Sequence, residues 1–188
     1  MLNAEKYSQK EYWRVVKPVV RQVEREDAAI LVDDTIEEKP HTDESELITW
    51  HYDHSQGRSV KGINLLNFIY HSKTSSGQEI SFPVAYETVT KPDVYQDPKS
   101  GKWKRRSLVS KNELVRERLK VLCRINQIKF KYVINDIWFS SKDNMKWIKN
   151  DLKKDFVMAL KGNRLVALSE QDKVQGRFET LEDLGMVQ

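Results

Sequence analysis

Apolar residues recur along this chain in two rhythms, and the alternation of those rhythms sets out the elements. From about residue 8 to 24, Tyr12, Val15, Val16, Val19 and Val23 fall at near-helical spacing, which predicts a lead-in helix that Pro18 bends or restarts. The run Ala28-Ala29-Ile30-Leu31-Val32 predicts strand one over about 28–36, and an acidic, polar loop from Glu37 to Ser59 follows it. Strand two, about 60–71, is apolar on both faces through Ile63, Leu65, Ile69 and Leu66, Phe68, Tyr70, the pattern of a strand covered on both sides. Strand three, about 79–89, sets Ile80, Phe82, Val84 and Tyr86 on one face. It contains Pro83, which cannot donate to a ladder, so it belongs at an edge.

Beyond a basic stretch, Ser110 and Glu113 have the spacing of a capping box. The stripe Val115, Leu119, Leu122 and Ile125 then predicts a helix ending near Asn126. Strand four holds Phe130, Tyr132 and Ile134. Ser140 and Asp143 are candidate caps for a second core helix carrying Met145, Ile148 and Leu152, and strand five runs from Phe156 to Leu160. The order βββαβαβ is that of an RNase H-like α/β fold, a mixed five-stranded sheet in the order 3-2-1-4-5 with flanking helices. Strands one and four then meet at its centre.

Both central strands stop on carboxylates: strand one on Asp33-Asp34-Thr35, strand four on Asn135-Asp136. Mg²⁺ or Mn²⁺ takes oxygen ligands from one or two carboxylates, with waters and phosphates filling the other positions. Two such ions stabilise the attacking and leaving oxygens of a phosphoryl displacement. Side chains alternate along a strand, so only one of Asp33 and Asp34 is expected to face the metals. The competing reading is that a strand-terminal Asp caps the turn that follows.

The segments Leu31-Val32-Asp33-Asp34-Thr35, His51-Tyr52-Asp53-His54-Ser55, Gly57-Arg58-Ser59-Val60-Lys61-Gly62 and Asn135-Asp136-Ile137-Trp138-Phe139-Ser140-Ser141 resemble, in order over about residues 28–162, the catalytic domain of bacterial insertion-sequence transposases of the cut-and-paste DDE class. The resemblance implies that Asp34 and Asp136 are the first and second catalytic, metal-binding acids of a two-metal site for Mg²⁺ or Mn²⁺. It implies double-stranded DNA (transposon ends and target) as substrate and a homodimer in the synaptic complex. Water would cut a transposon end to free a 3′-OH, which then attacks DNA. The family's third acid belongs to a Tyr, Arg, Glu, Lys pattern on a later helix, which no tyrosine here begins before Gln188, so an incomplete site and little cleavage are expected of these residues. The implied organisation is a lead-in helix (1–25), the catalytic domain (26–162) and the start of a β-rich insertion (163–188). Within that start, Leu165–Leu168 and Val174–Phe178 are expected to lack strand partners.

Charge adds a division of labour. The net charge is +4 over 188 residues, but residues 99–120 hold nine bases against two acids, while residues 33–46 hold seven acids against Lys39 alone. A negative metal region beside a positive stretch suits nucleic-acid backbone binding, with Lys102, Lys104, Arg105 and Arg106 as candidates, joined by Arg58, Lys61 and Lys142. The alternative is a solvated loop and helix face. His54, inside the matched region, and Trp138, able to stack on a base or pack under the next helix, are accessory candidates. His41, His51 and His71 show no metal-ligand spacing.

Other classes drop out. The glycines form no nucleotide-binding loop, and no Gly-x-Ser-x-Gly turn is present. The single Cys123 excludes an internal disulfide or cysteine-based zinc site. The apolar runs are too short to span a membrane, and residues 1–6 lack an apolar leader, so a cytoplasmic, nucleoid-associated protein without membrane contact is expected. A nuclease of the same fold without strand transfer, and a DNA-binding remnant without activity, remain as alternatives.

Overall fold

A computed structural model describes residues 8–186. The leader reading, made on residues 1–6, lies outside the described residues. Helix α1, Gln9–Val23, opens on a capping box in which the Ser8 side chain accepts from the Glu11 backbone N–H and Glu11 reaches back to Ser8. It runs through Pro18 without restarting. Proline removes one helical hydrogen bond, but both halves of the helix are anchored, with Gln9 donating to the Tyr86 carbonyl, the Tyr12 hydroxyl to the Pro83 carbonyl, and Val20 fully buried.

Strand β1, Ala29–Glu38, lies between its neighbours β3, Arg58–Lys73, and β7, Tyr132–Asn135. It pairs antiparallel with β3 and parallel with β7, where Val32 stands level with Asn135. Strand β8, Asp155–Met158, continues the parallel side and is shorter than the expected 156–160.

On its other edge β3 is shared. Strand β2, Thr49–Asp53, pairs with residues 58–62, and β4, Glu79–Thr88, pairs with residues 65–73. The sheet therefore has six strands, and the order β2-β3-β1-β7-β8, with β4 beside β3, corrects the five-stranded arrangement. The extra strand escaped the polar reading of residues 37–59 because its inward residues are Thr49 and His51, both buried, while Trp50 and Tyr52 face solvent. Gly62 is required here, since a Cβ would stand 2.3 Å from the Glu37 carbonyl oxygen.

Pro83 lies on β4, which pairs only with β3, at a register shift between Phe68 and Ile69. That bulge buries Val84 and Ala85 together and breaks the expected alternation.

The core occupies one face of the sheet. Ile30, Val32, Leu66, Phe68, Tyr70 and Val133 pack with Val20 of α1, Val115 and Leu119 of α2 (Lys111–Lys120), and Ile148 of α3 (Lys142–Asn150). Ile63, Leu65 and Ile69 on the opposite face are outside this cluster and half-buried, so the expectation of cover on both sides is not met among the described residues.

Helix α2 has the expected box at Ser110, but its α-helical turns end at Lys120 and Val121–Ile125 form a π turn, which leaves Ile125 exposed and out of the stripe. Phe130 is buried before β7 begins. Ser141, rather than Ser140, caps α3.

Two small units complete the chain. The basic stretch contains a hairpin of β5, Asp93–Gln96, and β6, Trp103–Arg106. Residues 163–186 form their own pair, β9 (Leu165–Val166) with β10 (Glu179–Thr180), around α4 (Glu170–Val174), so Leu165 does have a strand partner.

Candidate active site

The register of β1 decides how its two aspartates are presented. Asp34 stands opposite Leu66 on the helix-covered face, and Asp33 opposite Asn67 on the open face. On the covered side Asn64 Nδ2 donates to Asp34 Oδ2 at 2.9 Å, and Lys111 Nζ reaches the same oxygen at 2.5 Å. Asp33 is exposed and accepts the Asp34 backbone N–H at 2.8 Å. The β1–β7 register ends with Val32 level with Asn135, the residue before Asp136.

Asp136 begins a tightly held turn. Its Oδ1 accepts the Trp138 backbone N–H, and its carbonyl accepts from Phe139 N–H and the Ser140 hydroxyl. Buried Asn144 donates to the Phe139 carbonyl and accepts from Arg116 Nη1, while Arg164 Nη2 donates to the Ser140 carbonyl at 2.5 Å. The turn-capping reading of Asp136 therefore holds, but Asp136 also lines a cleft of about 360 Å³ together with Asp33, Asp34, Thr35, Tyr52, Asp53, His54 and Trp138. Burial, followed by the like charges of Asp33 and Asp34, raises the Asp136 carboxyl above its ordinary value, against the lowering pull of the Trp138 N–H.

The aromatic candidates meet here. His54 stacks on Trp138 with ring centroids 3.6 Å apart, Tyr52 meets His54 edge-on, and Lys161 Nζ lies 4.3 Å over the Trp138 ring. Trp138 is thus 44% exposed and not packed under α3, whereas Phe139 is buried.

The basic candidates are dispersed. Arg58 pairs with Glu38 at 2.6 Å, Lys104 with Asp97, and Arg106 with Asp93 at 2.5 Å. Arg105 lies 3.8 Å from Glu44 and 3.4 Å from the Lys91 carbonyl. Lys102 is exposed, Lys61 half-buried, and Lys142 begins α3.

Several residues of this neighbourhood escaped the sequence reading as site residues, among them Asp33, Tyr52 and Asp53 in the cleft, Lys161 over Trp138, and Lys111, Asn64 and His51 around Asp34. Lys111 had a usable signal, since a lysine at the first position of a helix opposes the helix dipole and calls for a carboxylate partner. Asn64, fully buried within an otherwise apolar strand, was another. His51 is buried, and burial together with the charges of Lys91 and Lys111 lowers it to about 4, against the pull of Asp34.

Residues 6–177 match the family described as DDE superfamily endonuclease. The chain belongs to that family. No match was found among curated proteins or solved structures. The mixed α/β sheet with flanking helices fits an RNase H-like DDE domain, and membership places this endonuclease among nucleic-acid-cleaving enzymes that act on DNA and generally use divalent metals. No helix among the described residues is long and apolar enough to cross a membrane.

The donor chemistry of the cleft suits a hard cation. Carboxylate oxygens converge there, and a lysine ammonium sits as a cation stand-in on Asp34. Among the described residues no group of three or more His, Cys, Asp or Glu is arranged to hold a metal. Mg²⁺, which keeps several waters, needs only one or two.

Proposed function

We propose that this DDE endonuclease is a transposase of the bacterial insertion-sequence, cut-and-paste type, which cleaves double-stranded DNA at transposon ends and transfers the freed 3′ end, working as a homodimer in the cytoplasm on nucleoid DNA. The observation that carries the reading is the arrival of Asp34 and Asp136, from two neighbouring parallel strands, at one cleft.

Bound Mg²⁺ or Mn²⁺ would supply Lewis-acid stabilisation of the charge that develops on the scissile phosphate. Asp34 and Asp136 are the residues that would hold it, with Asp33 adding negative potential beside them. The hydrogen-bonded turn after Asp136 fixes that carboxylate before substrate arrives, so little ordering remains for the reaction step. Trp138, stacked on His54 at the mouth, offers an aromatic face to an unpaired base once Lys161 moves to a phosphate.

The test is Mg²⁺-dependent nicking of a duplex bearing a transposon end, beside an Asp136→Ala control, with a 3′-OH donor added to separate strand transfer from plain hydrolysis. Nicking lost in the control supports the reading, and equal nicking by both chains overturns it. A second reading, DNA binding without cleavage, is favoured by the lack of a three-member ligand group among the described residues. It is selected if DNA is bound and neither chain nicks.

A further inference from the structure

Lys111 stands at the first position of α2, directly after its Ser110 cap. A positive side chain there faces the unpaired N–H groups and the positive end of the helix dipole, so its placement works against local helix stability. What it gains is Asp34. Its ammonium meets Oδ2 at 2.5 Å, on the oxygen to which Asn64 Nδ2 also donates at 2.9 Å. Asn64 is fully buried and its Oδ1 has no hydrogen-bond partner among the described residues, so the polar pocket around this carboxylate is incompletely satisfied with the ammonium in place.

An ammonium held on that oxygen opposes a divalent ion on the same carboxylate. A hard cation binds carboxylate at about 2 Å, which on the same oxygen would bring two positive centres to within about 4 Å of one another. Lys111 is 36% exposed on a flexible four-carbon stem, so it is free to leave. A phosphate in the adjoining cleft gives it somewhere to go, since lysine binds phosphate as a point charge.

Building on the metal-assisted reading above, we propose that Lys111 is a tethered cation that competes with divalent metal for Asp34 and is drawn off by a DNA phosphate, so that metal loading and DNA binding are coupled. Lys111 is in this sense a positioning residue that keeps the carboxylate oriented and neutralised until substrate arrives. Coupling of this kind is reciprocal, and metal must tighten DNA by the same factor by which DNA tightens metal.

The test is a Mn²⁺ titration followed by the electron paramagnetic resonance of the free ion, with and without a short duplex, on the full chain and on Lys111→Met, Lys111→Arg and Asp136→Ala. Without DNA, Lys111→Met should bind Mn²⁺ roughly 10-fold more tightly than the parent, Lys111→Arg should match the parent, and added duplex should tighten the parent several-fold more than Lys111→Met. Equal affinities of parent and Lys111→Met, or a parent indifferent to duplex, would overturn the coupling. If Lys111→Met does not fold, Lys111→Gln carries the same comparison. If Asp136→Ala loses binding while parent and Lys111→Met agree, only the competition fails. If no chain retains Mn²⁺, the metal site itself fails and the competition with it.

Discussion

Asp33 and Asp34 are adjacent in sequence and differ in everything that follows from facing opposite sides of one strand. Asp34 looks onto the covered face, is held by Asn64 and Lys111, and lies beside buried His51. Asp33 looks onto the open face, is exposed, and bonds only to the next backbone N–H among the described residues. Yet both line the cleft into which Asp136 projects. The comparison shows that a strand, just past the point where its parallel pairing with a neighbour stops, can offer one carboxylate whose geometry is fixed by the core and another that supplies mainly charge.

The largest effect expected from breaking this arrangement is at Asp136. Asn at this position keeps an oxygen for the Trp138 N–H but removes the charge that Asp33 and Asp34 repel and that burial disfavours. Whatever Mg²⁺-dependent cleavage the parent chain shows should fall by about 10³-fold or more, the scale of losing several kcal/mol of metal-centred stabilisation. Folding stability at neutral pH should hold or rise, because a carboxyl whose folded value is raised destabilises the native state once ionised. Paired nicking and urea-unfolding measurements check this, and Asp136→Asn losing both activity and stability would make Asp136 a structural cap alone.

His51 probes the covered side. Its value is lowered from 6.5 to about 4, chiefly by burial, so below 6.5 the unfolded chain takes up the proton first. Stability from this group is complete above pH 6.5 and drains away as pH falls towards 4, by about 3 kcal/mol at most. In His51→Gln that loss should disappear, so the difference between the two urea midpoints stays constant above pH 6.5 and shifts in the variant's favour below it. Parallel curves down to pH 4 would show that His51 is not held neutral.

What the sequence made legible follows the strength of its periodic signals. The apolar runs before Asp33 and Asp136, the Ser110 box and the Val115–Leu119–Leu122 stripe each appear in the fold, although β1 does not stop on its aspartates and runs on to Glu38. Strand β2 was hidden because it buries Thr49 and His51 in place of aliphatic residues, so its alternation is invisible to hydropathy. The open face was misjudged for the converse reason: Ile63, Leu65 and Ile69 are apolar without entering the helix-packed core. In the site, Asp34 and Asp136 are legible from the apolar runs before them, although only Asp136 follows a strand end while β1 continues through Asp34 to Glu38, whereas the Lys111–Asp34 pair joins elements far apart in sequence and no local spacing encodes it.

Alanine at each member of the aspartate pair sharpens the comparison on a stability scale. Asp34→Ala strands the amide of fully buried Asn64 and leaves Lys111 against its helix dipole, a loss of about 1–3 kcal/mol. Asp33→Ala removes an exposed group and should stay within about 0.5 kcal/mol. Urea unfolding of both variants at pH 7 measures the gap, and equal losses would mean that the two faces do not differ as described.

The smallest effects belong to the β5–β6 hairpin, where pairing divides residues that charge counting treats alike. Lys104 and Ser100 hold Asp97 down at about 2, and Arg106 is engaged with Asp93 and lies over the Tyr95 ring. Lys102 has no carboxylate partner among the described residues. The counterions released on binding are those condensed on the DNA, and a base already paired with a neighbouring carboxylate must give up that partner to neutralise a phosphate, so its removal should change the salt dependence of DNA binding less. Lys102→Ala should flatten the slope of log affinity against log salt by about 0.9 if it meets a phosphate, and Lys104→Ala or Arg106→Ala by a fraction of that. Fluorescence anisotropy across a series of salt concentrations resolves such changes. A slope unaltered in all three variants would make the hairpin a solvated projection and move the DNA path towards Arg58, Lys61 and Lys142.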